Sequence, residues 1–383
     1  MKKPPHSHIK ILCVVGARPN FIKIAPIIDA FKKFPDKIEY RLVHTEQHYD
    51  KAMSHLFFDD LKIPKPHYTL GVGSGSHAWQ TAEIMKRFEP IVLKYNPEFV
   101  LVVGDVNSTI AAGLVAKKLG KKLIHVEAGL RSFDINMPEE INRMLTDRIS
   151  DVLFTTEKNA EKNLIKEGVE KNRIFFVGNV MIDSLLKNKQ KAEKNKYHEK
   201  IGLKNKNYIL LTLHRPSNVD NKENLKQLIE TVNSIAEKTP VVFPIHPRTK
   251  NKMKEFHLTD AIHKNILLQN PLGYLEFLNL MAHAGCVLTD SGGIQEETTI
   301  LRVPCVTLRE STERPITVEC GYNTLVGHDK TMILKTVKKI LEKTKKRSGK
   351  IPELWDGKAA ERIVKILVKM TTPKITFKKY RNE

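Results

Sequence analysis

Short, predominantly apolar runs recur along this chain, and most are followed by Gly, Asp, His or Arg near the start of an amphipathic segment. In the first half they are Lys10–Val15, Tyr40–His44, Phe99–Val103, Leu123–Val126, Val152–Thr155 and Ile174–Val177. In the second half they are Tyr208–Leu213, Val241–Ile245, Ile266–Leu268, Cys286–Leu288 and Cys305–Leu308. Between them lie segments with helical character. Phe21–Lys33 sets Ile24, Ile27, Ile28 and Phe31 on one side, and Ser108–Leu119 follows Gly104-Asp105. Strands with apolar residues on both faces must be covered on both, and their alternation with helices gives parallel sheet with right-handed crossovers. The pattern predicts an α/β fold of two Rossmann-like, doubly wound domains with a central cleft. A chain of 383 residues is long enough for two such cores.

A polar, Lys/Asn-rich stretch divides the two halves. The expected organisation is a first domain over residues 1–185, a linker over 186–207, a second domain over 208–358, and a closing segment over 359–383. Within the last of these, Ala359–Met370 places Ile363, Ile366 and Leu367 on one helical face.

Composition narrows the function classes. No apolar run reaches membrane-spanning length, and Met1-Lys-Lys-Pro-Pro-His6 lacks the apolar core of a signal peptide. The four cysteines have no close spacing, Cys13 and Cys286 read as small core residues within strands, and the expected location is a reduced cytoplasm. The formal charge of +21 raises nucleic-acid binding as a possibility. Yet the lysines are spread along helical faces, acids intervene, and no zinc-finger spacing or aromatic RNP pattern accompanies them. The densest run, Lys343-Thr-Lys-Lys-Arg-Ser-Gly-Lys350, reads as a solvated loop.

Chemistry concentrates at the strand ends. Val287-Leu-Thr-Asp-Ser-Gly-Gly-Ile-Gln-Glu-Glu297 is a strand, a small-residue turn and a helix start. Such a turn exposes first-turn N–H groups and the positive end of the helix dipole, with Ser291 placed to cap and Gly292 allowing a phosphate to approach. Gly16-Ala-Arg18-Pro-Asn20-Phe-Ile-Lys23, Gly104-Asp105, His125-Val-Glu127-Ala-Gly129, His214-Arg215-Pro216, His246-Pro247-Arg248 and Arg309-Glu-Ser-Thr-Glu313-Arg314 fall at equivalent ends. Ligands of such sheets bind beyond the strands' carboxyl ends. These residues therefore point to one cleft, with cations for a diphosphate and carboxylates for proton transfer. Pro138-Glu139-Glu140 opens a further helix, where acids commonly serve only the dipole. His125 lies on a central strand and fits a core histidine at least as well as a catalytic one.

Taken in order, these motifs closely resemble the non-hydrolysing UDP-N-acetylglucosamine 2-epimerases over roughly Ile9 to Gly327. The resemblance implies a glycosyltransferase-B-like fold whose last helix crosses back to the first domain. It implies inversion at C-2 of the sugar by elimination of UDP to a 2-acetamidoglucal and re-addition, with no cofactor and no metal. Matching motifs give Asp105, Glu127 and Glu139 as acid/base residues, with His214 supporting the diphosphate. Arg18, Lys23, Ser291, Gly292, Glu297 and Arg314 match nucleotide-sugar contacts, Phe277 matches a uracil-lining residue, and His246 is placed in the cleft. A UDP-sugar substrate and a homodimer are implied; nucleic acid and membrane are not. The loop Thr45-Glu-Gln47-His48-Tyr49-Asp50 departs from members activated by a second substrate molecule, and no arginine falls between Tyr68 and Lys86. Related readings are a hydrolysing 2-epimerase, a 2-epimerase of a diacetamido uronic acid UDP-sugar, and a glycosyltransferase on the same scaffold.

Overall fold

The computed structural model describes residues 8–47, 57–342 and 349–370. The first residues, the 48–50 part of the Gln47 loop, most of the Lys343–Lys350 run and the tail after Met370 lie outside the described residues.

The first sheet is parallel, in the order β3-β2-β1-β4-β5-β6-β7. Its strands are β1 (Ile9–Val15), β2 (Ile38–His44), β3 (Tyr68–Thr69), β4 (Phe99–Val103), β5 (Lys122–Ala128), β6 (Val152–Thr155) and β7 (Ile174–Phe176). The second sheet, also parallel, has the order β10-β9-β8-β11-β12-β13. It comprises β8 (Ile209–Thr212), β9 (Val241–Pro244), β10 (Ile266–Gln269), β11 (Cys286–Thr289), β12 (Cys305–Thr307) and β13 (Asn323–Leu325). Both are doubly wound as the apolar runs predict: β4 and β11 are buried along their whole length because helices cover both faces. The chain reverses direction across each sheet between β1 and β4 and between β8 and β11, which is where crevices form at the carboxyl ends.

Two local expectations need correction. The first helix spans Arg18–Phe31, three residues earlier than its apolar face suggests. Pro19 fits the first turn, where no intrahelical N–H bond is needed, and the Asn20 side chain accepts from Gly16 and Ala17 N–H at 3.0 and 3.1 Å. The stretch read as a linker is largely helical: Val180–Asn195 is continuous, and Tyr197–Lys200 adds a further turn. Its Ile182, Leu185, Asn188 and Ala192 are buried at helical spacing while the lysines face solvent, so polarity marked an exposed helix face.

The final helix, Ala359–Met370, packs on the first domain. Asp183 accepts from Ala359 and Ala360 N–H at 3.1 and 2.7 Å and so fills its N-terminus. Arg362 donates to the Val177 carbonyl, and Ile363, Val364 and Leu367 are buried against Arg18–Phe31 and Val180–Asn195. One apolar core runs from this helix under the first sheet and into the second domain through Met181, Leu185, Tyr274 and Ile294. Among the described residues, no helix is long and apolar enough to cross a membrane.

Candidate active site

Strand β5 ends abnormally. Its register against β6 shifts between Val126 and Ala128, and Glu127 sits at φ +74°. A left-handed conformation costs a non-glycine residue about 1–3 kcal/mol, and such strain gathers at functional sites. The Glu127 side chain is buried, with Oε1 receiving Lys23 Nζ at 2.7 Å and Arg314 Nη2 at 2.7 Å. Its Oε2 has no hydrogen-bond partner among the described residues. Lys23 arrives from the first helix, and Gly104 (φ +69°) makes room for it: a Cβ there would lie 2.9 Å from Nζ.

Asp105 follows β4 and is held by the helix Pro138–Ile149. Arg143 Nη2 reaches its Oδ2 at 2.6 Å, and Asn142 donates to its carbonyl at 3.0 Å. Burial alone would raise the Asp105 carboxyl, but Arg143 and Lys23 outweigh it and hold it at about 2. The two acids opening that helix have separate fates. Glu140 is buried and committed to the Ser132 and Phe133 N–H groups and to Arg143. Glu139 is part-exposed, and Arg215, from the second domain, is its nearest cation at 3.9 Å. Of this pair, Glu139 is the one left available for chemistry.

In the second domain Asp290 organises the turn. Its Oδ2 accepts from His214 and Arg215 N–H at 2.8 and 2.9 Å, and its Oδ1 lies 2.8 Å from His214 Nδ1. Burial would raise this carboxyl, yet His214 and the two N–H bonds hold it at about 2. With Nδ1 engaged, Nε2 is the His214 nitrogen left for a ligand. Ser291 occupies the N-cap of Gly292–Leu301, but its side chain makes no capping bond, contrary to expectation. The first-turn N–H groups are thus not consumed by a Ser291 cap. Gly292 lies against Glu313, whose Oε1 would be 2.4 Å from any Cβ at that position. Burial would raise Glu313, but Arg309 and Arg215 hold it well below the carboxylate range.

Glu297 accepts from Tyr274 Oη at 2.9 Å, and burial pushes its carboxyl up to about 7 against the opposing effect of that bond. Arg18 stacks over the Phe57 ring at 4.7 Å, and Phe57 lies 6.2 Å from Tyr274, so Arg18 and Glu297 belong to one wall. Phe277 is half-buried one turn beyond Tyr274. His246 caps its own helix by accepting from Arg248 N–H, with its ring 5.6 Å from that of His214. His125 is a core histidine: Nδ1 lies 2.7 Å from Asp147 and Nε2 lies 2.8 Å from the Gly104 carbonyl.

The structure therefore brings Asp105, Glu127, Lys23 and Arg314 into one network. Arg18 and Glu297 meet through Phe57 and Tyr274, and His214 lies beside His246 and is bound to the Asp290 turn that precedes Ser291. Sequence reasoning missed Glu296, Asn179 and the role of Arg143. Arg314 Nε lies 2.7 Å from Glu296, which also receives Asn179 Nδ2 at 2.9 Å. Burial raises the Glu296 carboxyl to about 7, against Arg314. Arg143 stands four residues after Glu139 on the same helix face, a signal that was present.

Paired doubly wound domains, with carboxylates on one edge and an anion-ready helix start on the other, define an enzyme of the glycosyltransferase-B architectural class. Residues 30–368 match the family model described as UDP-N-acetylglucosamine 2-epimerase, and the chain belongs to that family. It is 48% identical over 367 residues to the UDP-N-acetylglucosamine 2-epimerase of Methanocaldococcus jannaschii, covering 94% of this chain and 99% of that one. It is 42% identical over 366 residues to the UDP-2,3-diacetamido-2,3-dideoxy-D-glucuronate 2-epimerase of Pseudomonas aeruginosa, covering 94% and 100%. The crystal structure of the M. jannaschii enzyme in complex with UDP-GlcNAc and UDP superposes with a TM-score of 0.89, covering 94% of this chain and all of that one. The family and fold expected from the ordered motifs are borne out.

Proposed function

We propose that this enzyme interconverts UDP-N-acetylglucosamine and UDP-N-acetylmannosamine without releasing free sugar. The observation that carries the reading is Glu127: one oxygen is held by cations from both domains, and the other is buried without a partner. A base removes the C-2 proton, the electron pair forms the C-1–C-2 double bond, and the C-1–O bond breaks as UDP leaves with its electrons. UDP then re-adds at C-1 while an acid protonates C-2 from the opposite face. Two acid/base groups on opposite faces are required, and Asp105, Glu127 and Glu139 form that set.

The Gly292 helix start, Ser291 and His214 hold the diphosphate, with Lys23, Arg18 and Arg314 supplying positive charge for its departure. Glu297 accepts ribose hydroxyls and Phe277 lines the uracil. A homodimer is part of the reading, supported by Ile141, Met144 and Leu145, an exposed apolar stripe on the helix Pro138–Ile149.

Incubation with UDP-N-acetylglucosamine in deuterated water tests the proposal by NMR. The expected product is UDP-N-acetylmannosamine deuterated at C-2. Free N-acetylmannosamine as the main product would assign a hydrolysing reaction. Turnover only of a diacetamido uronate UDP-sugar would move the substrate to that of the Pseudomonas relative.

A further inference from the structure

The left-handed Glu127 needs an explanation beyond its own contacts, because an isolated residue in that conformation relaxes unless its surroundings over-determine it. The residues two before and two after it, His125 and Gly129, end on the same carboxylate. Asp147 Oδ1 lies 2.7 Å from His125 Nδ1, and its Oδ2 accepts from Gly129 N–H at 3.0 Å. His125 passes the constraint on, since its Nε2 lies 2.8 Å from the carbonyl of Gly104, the residue before Asp105. The Gly104 N–H in turn donates to the Val126 carbonyl at 3.1 Å, closing a ring around Glu127.

Asp147 itself is fixed. It is 1% exposed and lies 2.7 Å from Arg131 Nη1, and Arg131 is tied by Glu167 at 2.8 and 2.6 Å. Burial would raise the Asp147 carboxyl, but His125 and Arg131 hold it below its ordinary range, so it serves as an acceptor on both oxygens. It also belongs to the helix whose Asn142 and Arg143 grip Asp105. One helix thus sets the separation of two strand ends.

We infer that Asp147, acting through His125 and Gly129, is a positioning residue that keeps Glu127 in its left-handed conformation and in register with Asp105. The inference rests on the acid/base reading of those two carboxylates. Both Asp147 oxygens are taken by His125, Gly129 and Arg131 in the buried interior, so its effect is on the placement of the acid/base groups.

The test compares Asp147→Asn and His125→Asn with the parent enzyme. Asparagine at 147 replaces one acceptor by a donor, and asparagine at 125 is too short to span Asp147 and the Gly104 carbonyl. Displacing a reacting group by about 1 Å can cost about 100-fold in rate, so kcat should fall about 100-fold while KM and UDP affinity stay within about threefold. Asp147→Glu, which keeps the charge, should recover part of the loss.

A folded variant, by circular dichroism, that keeps kcat within about threefold overturns the inference. So does a fall in kcat that UDP affinity matches, or one that tracks the folded fraction in both variants, because Asp147 would then only stabilise the domain. If Asp147→Asn fails to fold, His125→Asn decides. The underlying reading fails separately: a parent enzyme without C-2 exchange, or Glu127→Gln with unchanged exchange, removes it whatever the Asp147 variants do.

Discussion

Arg314 reaches from the second domain to Glu127 in the first, with Nη2 2.7 Å from Oε1, while its Nε lies 2.7 Å from Glu296. One planar guanidinium therefore serves two buried carboxylates in different domains, which a lysine ammonium cannot do with the same geometry. Burial would lower its pKa, but Glu296 and Glu127 raise it, so the cation is permanent.

Removing that cation should be costly. Arg314→Met leaves Glu127 and Glu296 buried without their shared partner, and breaking a buried pair in this way costs about 3–5 kcal/mol. Urea unfolding is expected to show the loss as a lower midpoint. A midpoint equal to that of the parent would mean that solvent or Lys23 already compensates the two carboxylates.

Glu127→Gln separates chemistry from binding. The amide keeps the shape but cannot take a proton, so C-2 exchange should fall by at least about 100-fold. UDP affinity by calorimetry should change far less than exchange, because Lys23 and Arg314 keep their charge and the helix start at Gly292 is untouched. Exchange at the parent rate would remove Glu127 from the acid/base set.

Gly292→Ala tests the helix start. The added methyl would lie 2.4 Å from Glu313 Oε1, at the turn assigned to phosphate. UDP binding should weaken by at least about tenfold, equivalent to about 1.4 kcal/mol, with kcat affected less than KM. Unaltered UDP affinity would mean that the phosphate is held elsewhere.

Glu157 makes a pH prediction. Burial pushes its carboxyl up to about 8, against Arg314, and its Oε2 has no hydrogen-bond partner among the described residues. Its folded pKa exceeds its unfolded value, so its contribution to stability is complete below about 4.5 and is lost as pH rises through about 8. Glu157→Gln should therefore gain on the parent in that window by a few kcal/mol, on the order expected for a buried ionisable group. Parallel stability curves for the two proteins between pH 5 and 9, roughly the window named, would contradict it.

The fold was legible where burial dictates composition. β4 is apolar at every position and β11 at all but Thr289, and both are buried along their whole length. The start at Arg18 was obscured because Arg18, Pro19 and Asn20 carry no apolar periodicity, although proline in a first turn was a usable cue. The helical character of the segment after Leu185 was hidden because lysine and asparagine on one helix face resemble a linker in composition. The site's residue types were visible at the strand ends, but their pairings were not. Nothing in sequence joins Asn179 to Glu296, 117 positions apart, or Arg143 to Asp105, 38 apart. Ser291 has the composition of a cap and the position of one, yet its side chain makes no capping bond.

Asp183 near the start of one long helix fills the N-terminus of the last one, so the chain leaves the first domain and returns to it at almost the same place. The second domain is consequently moored by two adjacent crossings. The Arg314–Glu127 contact is therefore backed by two neighbouring stretches of chain rather than one. Cutting the chain ahead of Ala359 would leave one tether in place of two.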